Sequence, residues 1–256
     1  MNLGHLFDDE TLTDKTYSVD LSEYQTLISG CTNSGKSHFL RSVLTQLIEY
    51  PNIDIRIGDS KFVTFAEFEC LSLVQRIAHT AKEHDEMLIE LVGEMNDRYK
   101  FMKKYQLKDL KGNSEYKRIV AIIDEFENLV LDPTYGKSVM QSLTTLATLS
   151  RASMIHILYA TQYPIAKVVS PRLKANSTLR ISFKLMSATN SRVILDTSGA
   201  EKLQRQGEML IRSPWMEKCI RLQGVYMSDN DVNDAIGRAV AKQEGRTWSK
   251  ELMRVV

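Results

Sequence analysis

Eight consecutive residues, Gly30-Cys31-Thr32-Asn33-Ser34-Gly35-Lys36-Ser37, constrain this chain more than anything else in it. They fit GxxxxGK[ST] in full, and their setting matches the spacing. Residues 25–29 form a short β-prone run ending at Gly30. After the loop, Phe39, Leu40, Val43, Leu44, Leu47 and Ile48 share one face of a helix over 37–50, which Pro51-Asn52 stops. Between a strand and a helix, the glycines let the backbone curl until successive N–H groups converge on phosphate oxygens. The helix N-terminus adds the positive end of its dipole. Lys36 is then expected to reach the β- and γ-phosphates of a nucleoside triphosphate, and the Ser37 hydroxyl to complete a Mg²⁺ shell.

The remaining pattern extends this unit into a sheet. Ile53, Ile55 and Ile57 alternate as a strand; Arg118–Ile123 and 154–160 are almost wholly apolar; Leu179, Ile181 and Phe183 alternate again. A long helix carries Met87, Leu88, Leu91, Val92, Met95, Tyr99 and Met102, and residues 138–149 have helical spacing. The stretch 103–117 is basic and polar and reads as a loop. Residues 209–212 and 219–222 flank Ser213-Pro214-Trp215 as a hairpin, and Ser228 caps a last helix from Asp229 to about Gln243. Strand–helix alternation predicts one three-layer αβα domain over 24–256, with a mainly parallel sheet. Residues 1–23, polar and acid-rich, read as a lead-in arm or irregular cover.

Composition narrows the function classes. The 256 residues hold 33 Lys and Arg against 32 Asp and Glu, a formal charge of +1, so no global basic field advertises a polyanionic partner. An apolar fraction of 43% with 12 Gly and 5 Pro excludes disordered and collagen-like chains. Cys31, Cys70 and Cys219 are distant from one another and form no CxxC pair, which supports neither a zinc site nor a disulfide framework. No signal peptide or membrane span is evident. A cytoplasmic protein is expected, touching membranes only through a partner.

Residues 118–125, an apolar strand ending in Asp124 and Glu125, supply the second half of the expected site. A buried parallel strand delivers its C-terminal residue to the ligand crevice of the sheet. Asp124 there suits a hard cation, and Glu125 would lie beside the γ-phosphate and polarise the attacking water. Asp59 and Lys61 end another strand; they either line the same crevice or simply leave it for solvent.

With those residues in place, the chain resembles the motor domain of the FtsK/SpoIIIE DNA translocases, within the FtsK–HerA branch of P-loop ATPases. The resemblance runs from about 25 to 236 through ordered stretches: 29–37, 57–61, EMNDRYKFM at 94–102, IIDEFENL at 122–129, LSRASMIHILYATQYP at 149–164, 174–176, SATNSRVILD at 187–196, 199–203 and 207–210. It implies a RecA-like P-loop NTPase fold, ATP and Mg²⁺ as ligands, and homohexameric rings around double-stranded DNA. It also implies that Gln162 senses the γ-phosphate. Arg151 or, preferably, Arg192 would act on the neighbouring subunit's nucleotide. The family's DPK is Asp59-Ser60-Lys61 here; Tyr163 stands where an arginine is common, and Met154 where a glycine is. No winged-helix module or membrane region is evident in these 256 residues, and a bare motor is the expectation.

Within the basic stretch 167–180, Arg172, Lys174 and Arg180 are candidates for tracking DNA phosphates without reading bases. The expected function is an ATP-driven duplex-DNA translocase of a mobile element or phage, serving conjugative transfer or packaging. The alternatives are an ATPase driving protein secretion and a nucleotide-binding assembly subunit.

Overall fold

The computed structural model describes residues 1–8, 11–20, 24–50 and 52–245. The Pro51 helix stop and the last eleven residues of the expected 24–256 domain lie outside the described residues. A ten-stranded sheet runs through the molecule in the order β2-β1-β10-β9-β8-β3-β7-β6-β4-β5. In chain order the strands are β1 (Asn2–Asp8), β2 (Thr11–Ser18), β3 (Thr26–Ser29), β4 (Ile53–Gly58), β5 (Val74–Ala78), β6 (Arg118–Ile123), β7 (Ile155–Thr161), β8 (Leu179–Phe183), β9 (Glu208–Arg212) and β10 (Ile220–Gly224). From β8 to β5 all neighbours are parallel, whereas β9, β10, β1 and β2 continue the other edge antiparallel.

Alternation decides the layers. Along β6, Val120 and Ile122 point to one face while Ile119, Ala121 and Ile123 point to the other, and all five are buried. A strand buried on both faces belongs in the middle of a covered parallel sheet. The first face is covered by α1 (Lys36–Leu47) and α7 (Asp229–Gln243), through Leu40, Val43 and Leu44 against Val232, Ala235 and Ile236. The second carries α2 (Ala81–Tyr105), α3 (Phe126–Val130), α4 (Gly136–Leu149), α5 (Pro171–Asn176) and α6 (Ala188–Leu195). Sharp starts come from the caps: Thr80 and Glu83 form a reciprocal capping box on α2, and Ser228 with Asp231 forms another on α7.

The N-terminal residues correct one expectation. They are not an arm: β1 pairs with β10 and β2 with β1, so the segment lengthens the sheet. Leu3 is fully buried in the face covered by α1 and α7. β2, reading TLTDKTYS, lies mostly in solvent at the sheet edge, so it carries no apolar alternation to announce it. The strand β5 and the short helices α5 and α6 also add to the sequence reading. Residues 103–105, expected in a loop, instead close α2.

Candidate nucleotide site

Register places the site at one end of the sheet. Ser29, the last residue of β3, lies opposite Thr161 of β7 and Ser182 of β8. The loop that follows is stitched to both neighbours, with Gly30 N donating to Thr161 O at 3.2 Å and Cys31 N to Lys184 O at 2.9 Å. From outside, Gly207 N donates to Ser34 O at 2.9 Å. Gly35 has φ 98°, and a Cβ there would sit 2.6 Å from Gly207 N, so only glycine fits between loop and brace. α1 then begins at Lys36 with neither a side-chain cap nor an acid in its first turn. Its outward N–H groups and dipole face the cleft uncompensated, which is the electrostatic requirement for an anion seat.

Inside the cleft the charges meet in pairs. Lys36 and Asp124, each 3% exposed, form a buried ion pair. The same Asp124 oxygen accepts the Glu125 N–H at 2.9 Å, while Oδ2 is buried without a hydrogen-bond partner. Glu125 stands on left-handed backbone, φ 54°, as the chain turns from β6 into α3. Its Oε1 receives Lys61 Nζ at 2.5 Å and also the side-chain amide of Gln162. Gln162 in turn accepts the Thr32 hydroxyl at 2.9 Å, which closes a chain from the phosphate loop to the acid.

This convergence follows from strand order. β7 lies between β3 and β6, so Gln162, just past its end, sits between the phosphate loop and the acid-ended strand. The Gln162 N–H is anchored by the Glu127 carboxylate at 2.7 Å. Burial pushes the Glu127 carboxyl above its usual value, against the opposing pull of the Gln162 N–H. Lys61 is delivered by a turn wound on Asp59, whose carboxylate accepts N–H groups of Lys61 at 3.1 Å, Thr64 at 2.8 Å and Phe65 at 3.1 Å. Burial opposes the Lys61 charge, but Glu125, Asp124 and Asp59 outweigh it and raise the ammonium pKa. Of the two readings left open for Asp59 and Lys61, Lys61 therefore lines the crevice and Asp59 shapes it. Glu127 was not singled out from sequence; its only signal was a third acid two residues beyond the Asp124-Glu125 pair.

The donor set suits magnesium. Among the described residues no three His, Cys, Asp or Glu side chains cluster as a metal cage. A cation here would draw on the orphaned Asp124 Oδ2, the half-buried Ser37 hydroxyl, phosphate oxygens and water, the ligand mix that Mg²⁺ favours.

The arginines and lysines named from sequence are dispersed. Arg151 is exposed on a 3₁₀ turn, Ser150–Ser153, that precedes β7, at the opposite end of the sheet from the loop. Arg192 is exposed on α6, within electrostatic reach of Glu201. Arg180 corrects the phosphate-tracking set. It is 8% exposed on β8, with Nη1 donating to Ile194 O at 3.1 Å and to Asp196 at 2.5 Å. Lys174 shares that carboxylate at 2.7 Å, whereas Arg172 points to solvent. Burial pushes Asp196 upward, but the two cations outweigh it and hold its carboxyl below the usual range. Arg180 is thus spent inside the fold.

A strand, a glycine loop and a bare helix start, with an acid-ended strand two places over, define a P-loop nucleotide-binding ATPase fold. The sequence profile of the FtsK/SpoIIIE family matches residues 3–144, and the chain belongs to that family. Among curated relatives, the DNA translocase FtsK of Oceanobacillus iheyensis is 31% identical over 246 residues, covering 89% of this chain and 31% of the relative. The DNA translocase SpoIIIE of Bacillus subtilis is 30% identical over 239 residues, covering 86% and 30%. The chain thus spans about a third of the length of these relatives. Two solved structures share the fold. The pCW3 conjugation coupling protein TcpA, solved as a monomer with ATPγS, superposes with a TM-score of 0.79 at 24% identity, covering 92% of this chain and 69% of that one. The type VII secretion ATPase EccC of Thermomonospora curvata gives 0.78 at 21%, covering 93% and 30%. No helix among the described residues is long and apolar enough to cross a membrane.

Proposed function

We propose that this chain hydrolyses ATP and couples the cycle to movement along double-stranded DNA, as a homohexameric ring in the cytoplasm, in a mobile-element or phage setting. The observation that carries the reading is the chain of contacts Thr32–Gln162–Glu125–Lys61 beside the Lys36–Asp124 pair. The phosphate-loop lysine, a carboxylate for a cation, a second carboxylate and the glutamine that ties it to the loop converge there, and family membership supports DNA as the track.

In the nucleotide-free chain, Lys36 and Asp124 neutralise each other. Arriving phosphates exchange for Asp124 at the lysine, and the loop N–H groups with the α1 N-terminus hold the remaining charge. Mg²⁺, when bound at Ser37 and Asp124, supplies neutralisation of the β- and γ-phosphate charge. Glu125 orients a water molecule whose oxygen bonds to the γ-phosphorus as the bond to the bridging oxygen breaks; the water proton passes to the Glu125 carboxylate. Gln162 links the loop at Thr32 to that carboxylate, so it senses whether the γ-phosphate is present. Arg151, at the far end of the sheet from its own loop, and Arg192, exposed on α6, are the two candidates for acting on a neighbouring copy's nucleotide, with Arg192 preferred. The exposed Arg172 is the phosphate-tracking cation that survives from the original set.

ATP turnover measured with and without duplex DNA at low salt, where phosphate contacts are strongest, tests the reading. Stimulation is expected, and Glu125→Gln should lower turnover by about 10²–10⁴-fold while still binding nucleotide. Turnover indifferent to DNA would support the secretion alternative. No turnover under any condition would leave a nucleotide-binding assembly subunit.

A further inference from the structure

Glu127 is the second residue of α3 and only 6% exposed, and no step of the hydrolysis uses it. A buried carboxylate is costly, and this one is incompletely satisfied: among the described residues its Oε2 has no hydrogen-bond partner. An apolar residue would fill the same space without that cost, so packing alone is a poor reason for an acid here. What the carboxylate does hold is the Gln162 N–H, at 2.7 Å. That group sits at a weak point of the backbone. The ladder between β3 and β7 ends at Thr161. Gln162 and Tyr163 then form a bend, and Pro164 has no N–H to give. The Tyr163 N–H is taken within the bend by Thr161 Oγ1 at 3.1 Å. Two ties lead out of it. The Asn190 amide donates to Pro164 O at 3.2 Å, and Glu127 accepts from Gln162. Only the second acts on the residue whose side chain bridges Thr32 and Glu125.

We propose that Glu127 is a positioning residue for ATP turnover: it fixes the Gln162 backbone so that the glutamine amide spans from Thr32 to Glu125. The proposal rests on the hydrolytic reading of the site and adds the residue that sets its geometry. Glu125 is the N-cap of α3 and Glu127 lies in its first turn, so the two acids move as one piece. Phe126, between them, packs edge-on against Tyr159 of β7 with ring centroids 5.4 Å apart. That contact seats the piece on the strand that leads to Gln162. The bond from Gln162 N to Glu127 then holds the bend beyond the strand to the same piece, so the water-orienting carboxylate and the glutamine keep one spacing. Without it the bend is free to swing, and a misplacement of about 1 Å near reacting groups is worth about 100-fold in rate.

The test measures steady-state ATP turnover, and calorimetric affinities for ATPγS and ADP, in wild type, Glu127→Ala and Glu127→Gln, each with and without Gln162→Ala. Glu127→Ala should lower kcat by about 10–100-fold, change KM by less than about threefold, and reduce the preference for ATPγS over ADP. Glu127→Gln keeps an acceptor oxygen in the same place and should restore both readings to within about threefold of wild type. With Gln162→Ala in place, Glu127→Ala should cost no more than about twofold further, because the side chain it positions is gone. The affinity ratio carries that comparison where turnover is too slow to follow. An equal loss in both backgrounds, a glutamine variant no better than alanine, or a loss confined to melting temperature would overturn the proposal and leave the hydrolytic site standing. A wild-type chain that turns over no ATP would overturn the hydrolytic reading and this proposal with it.

Discussion

Lys36→Ala removes one half of an ion pair whose side chains are each 3% exposed. Taking one partner from a buried pair destabilises by about 3–5 kcal/mol, because the surviving charge has neither water nor a counterion. Asp124 keeps two compensations. Its Oδ1 still accepts the Glu125 N–H at 2.9 Å, and Lys61 lies close enough for the Asp124 charge to raise its pKa. Both act on a carboxylate that Lys61, itself about half exposed, can only partly neutralise, so the expected loss falls to about 2–3 kcal/mol. In a domain of this size each kcal/mol moves the melting temperature by about 2–4 °C. Nucleotide-free Lys36→Ala should therefore melt about 4–12 °C below wild type, followed by circular dichroism. Lys36→Met with Asp124→Asn, which removes both charges of the pair, should recover most of the loss. A single variant melting within about 1 °C of wild type, or a double variant no better than the single, would refute the reasoning. The outcome also decides how a Lys36 variant is to be used, since its lost turnover would contain lost stability.

Three further outcomes follow from contacts described above or close to them. Burial pushes His84 below its ordinary 6.5, and its Nδ1 donates to Thr80 O at 2.8 Å. The unfolded chain therefore takes up a proton that the folded chain refuses. Stability should be complete above 6.5 and fall on acidification, by at most about 1.4 kcal/mol per pH unit, and urea midpoints of His84→Gln should show a shallower fall. Thr80→Ala, which strips the cap that holds Glu83 N, should cost about 1 kcal/mol in thermal melts without changing nucleotide affinity. Arg180→Gln should lower stability and leave the salt dependence of DNA binding intact, whereas Arg172→Gln should lower the salt slope by about 1 and leave melting unchanged.

What could be read in advance divides by mechanism. The phosphate loop and Asp124-Glu125 were legible because their chemistry demands fixed residue types at fixed local spacing. β6 was legible because burial on both faces leaves no room for a polar residue until the strand ends. The Ser228 cap marked the start of α7 from sequence for the same local reason. β1 and β2 were hidden because antiparallel edge strands need few apolar residues, and Leu3 alone carries little periodic signal. Contacts that join distant positions were also out of reach. Lys61 and Gln162 meet at Glu125 only through the order of β4, β6 and β7. Arg180 looked like a surface cation because its partner, Asp196, comes sixteen residues later. Met154 stands in place of the glycine common in the resembled family, and its φ of 57° shows what that glycine serves.

The backbone at Glu125 sets stability and chemistry against each other. An L-residue with a Cβ pays about 1–2 kcal/mol to occupy the left-handed region, and glycine pays almost none. Glycine there would also remove from the cleft the carboxylate to which the proposed function assigns the water proton. Selection for thermal robustness alone would therefore drift toward loss of that carboxylate at this position. A screen of Glu125 substitutions that scored only folding would rank glycine first.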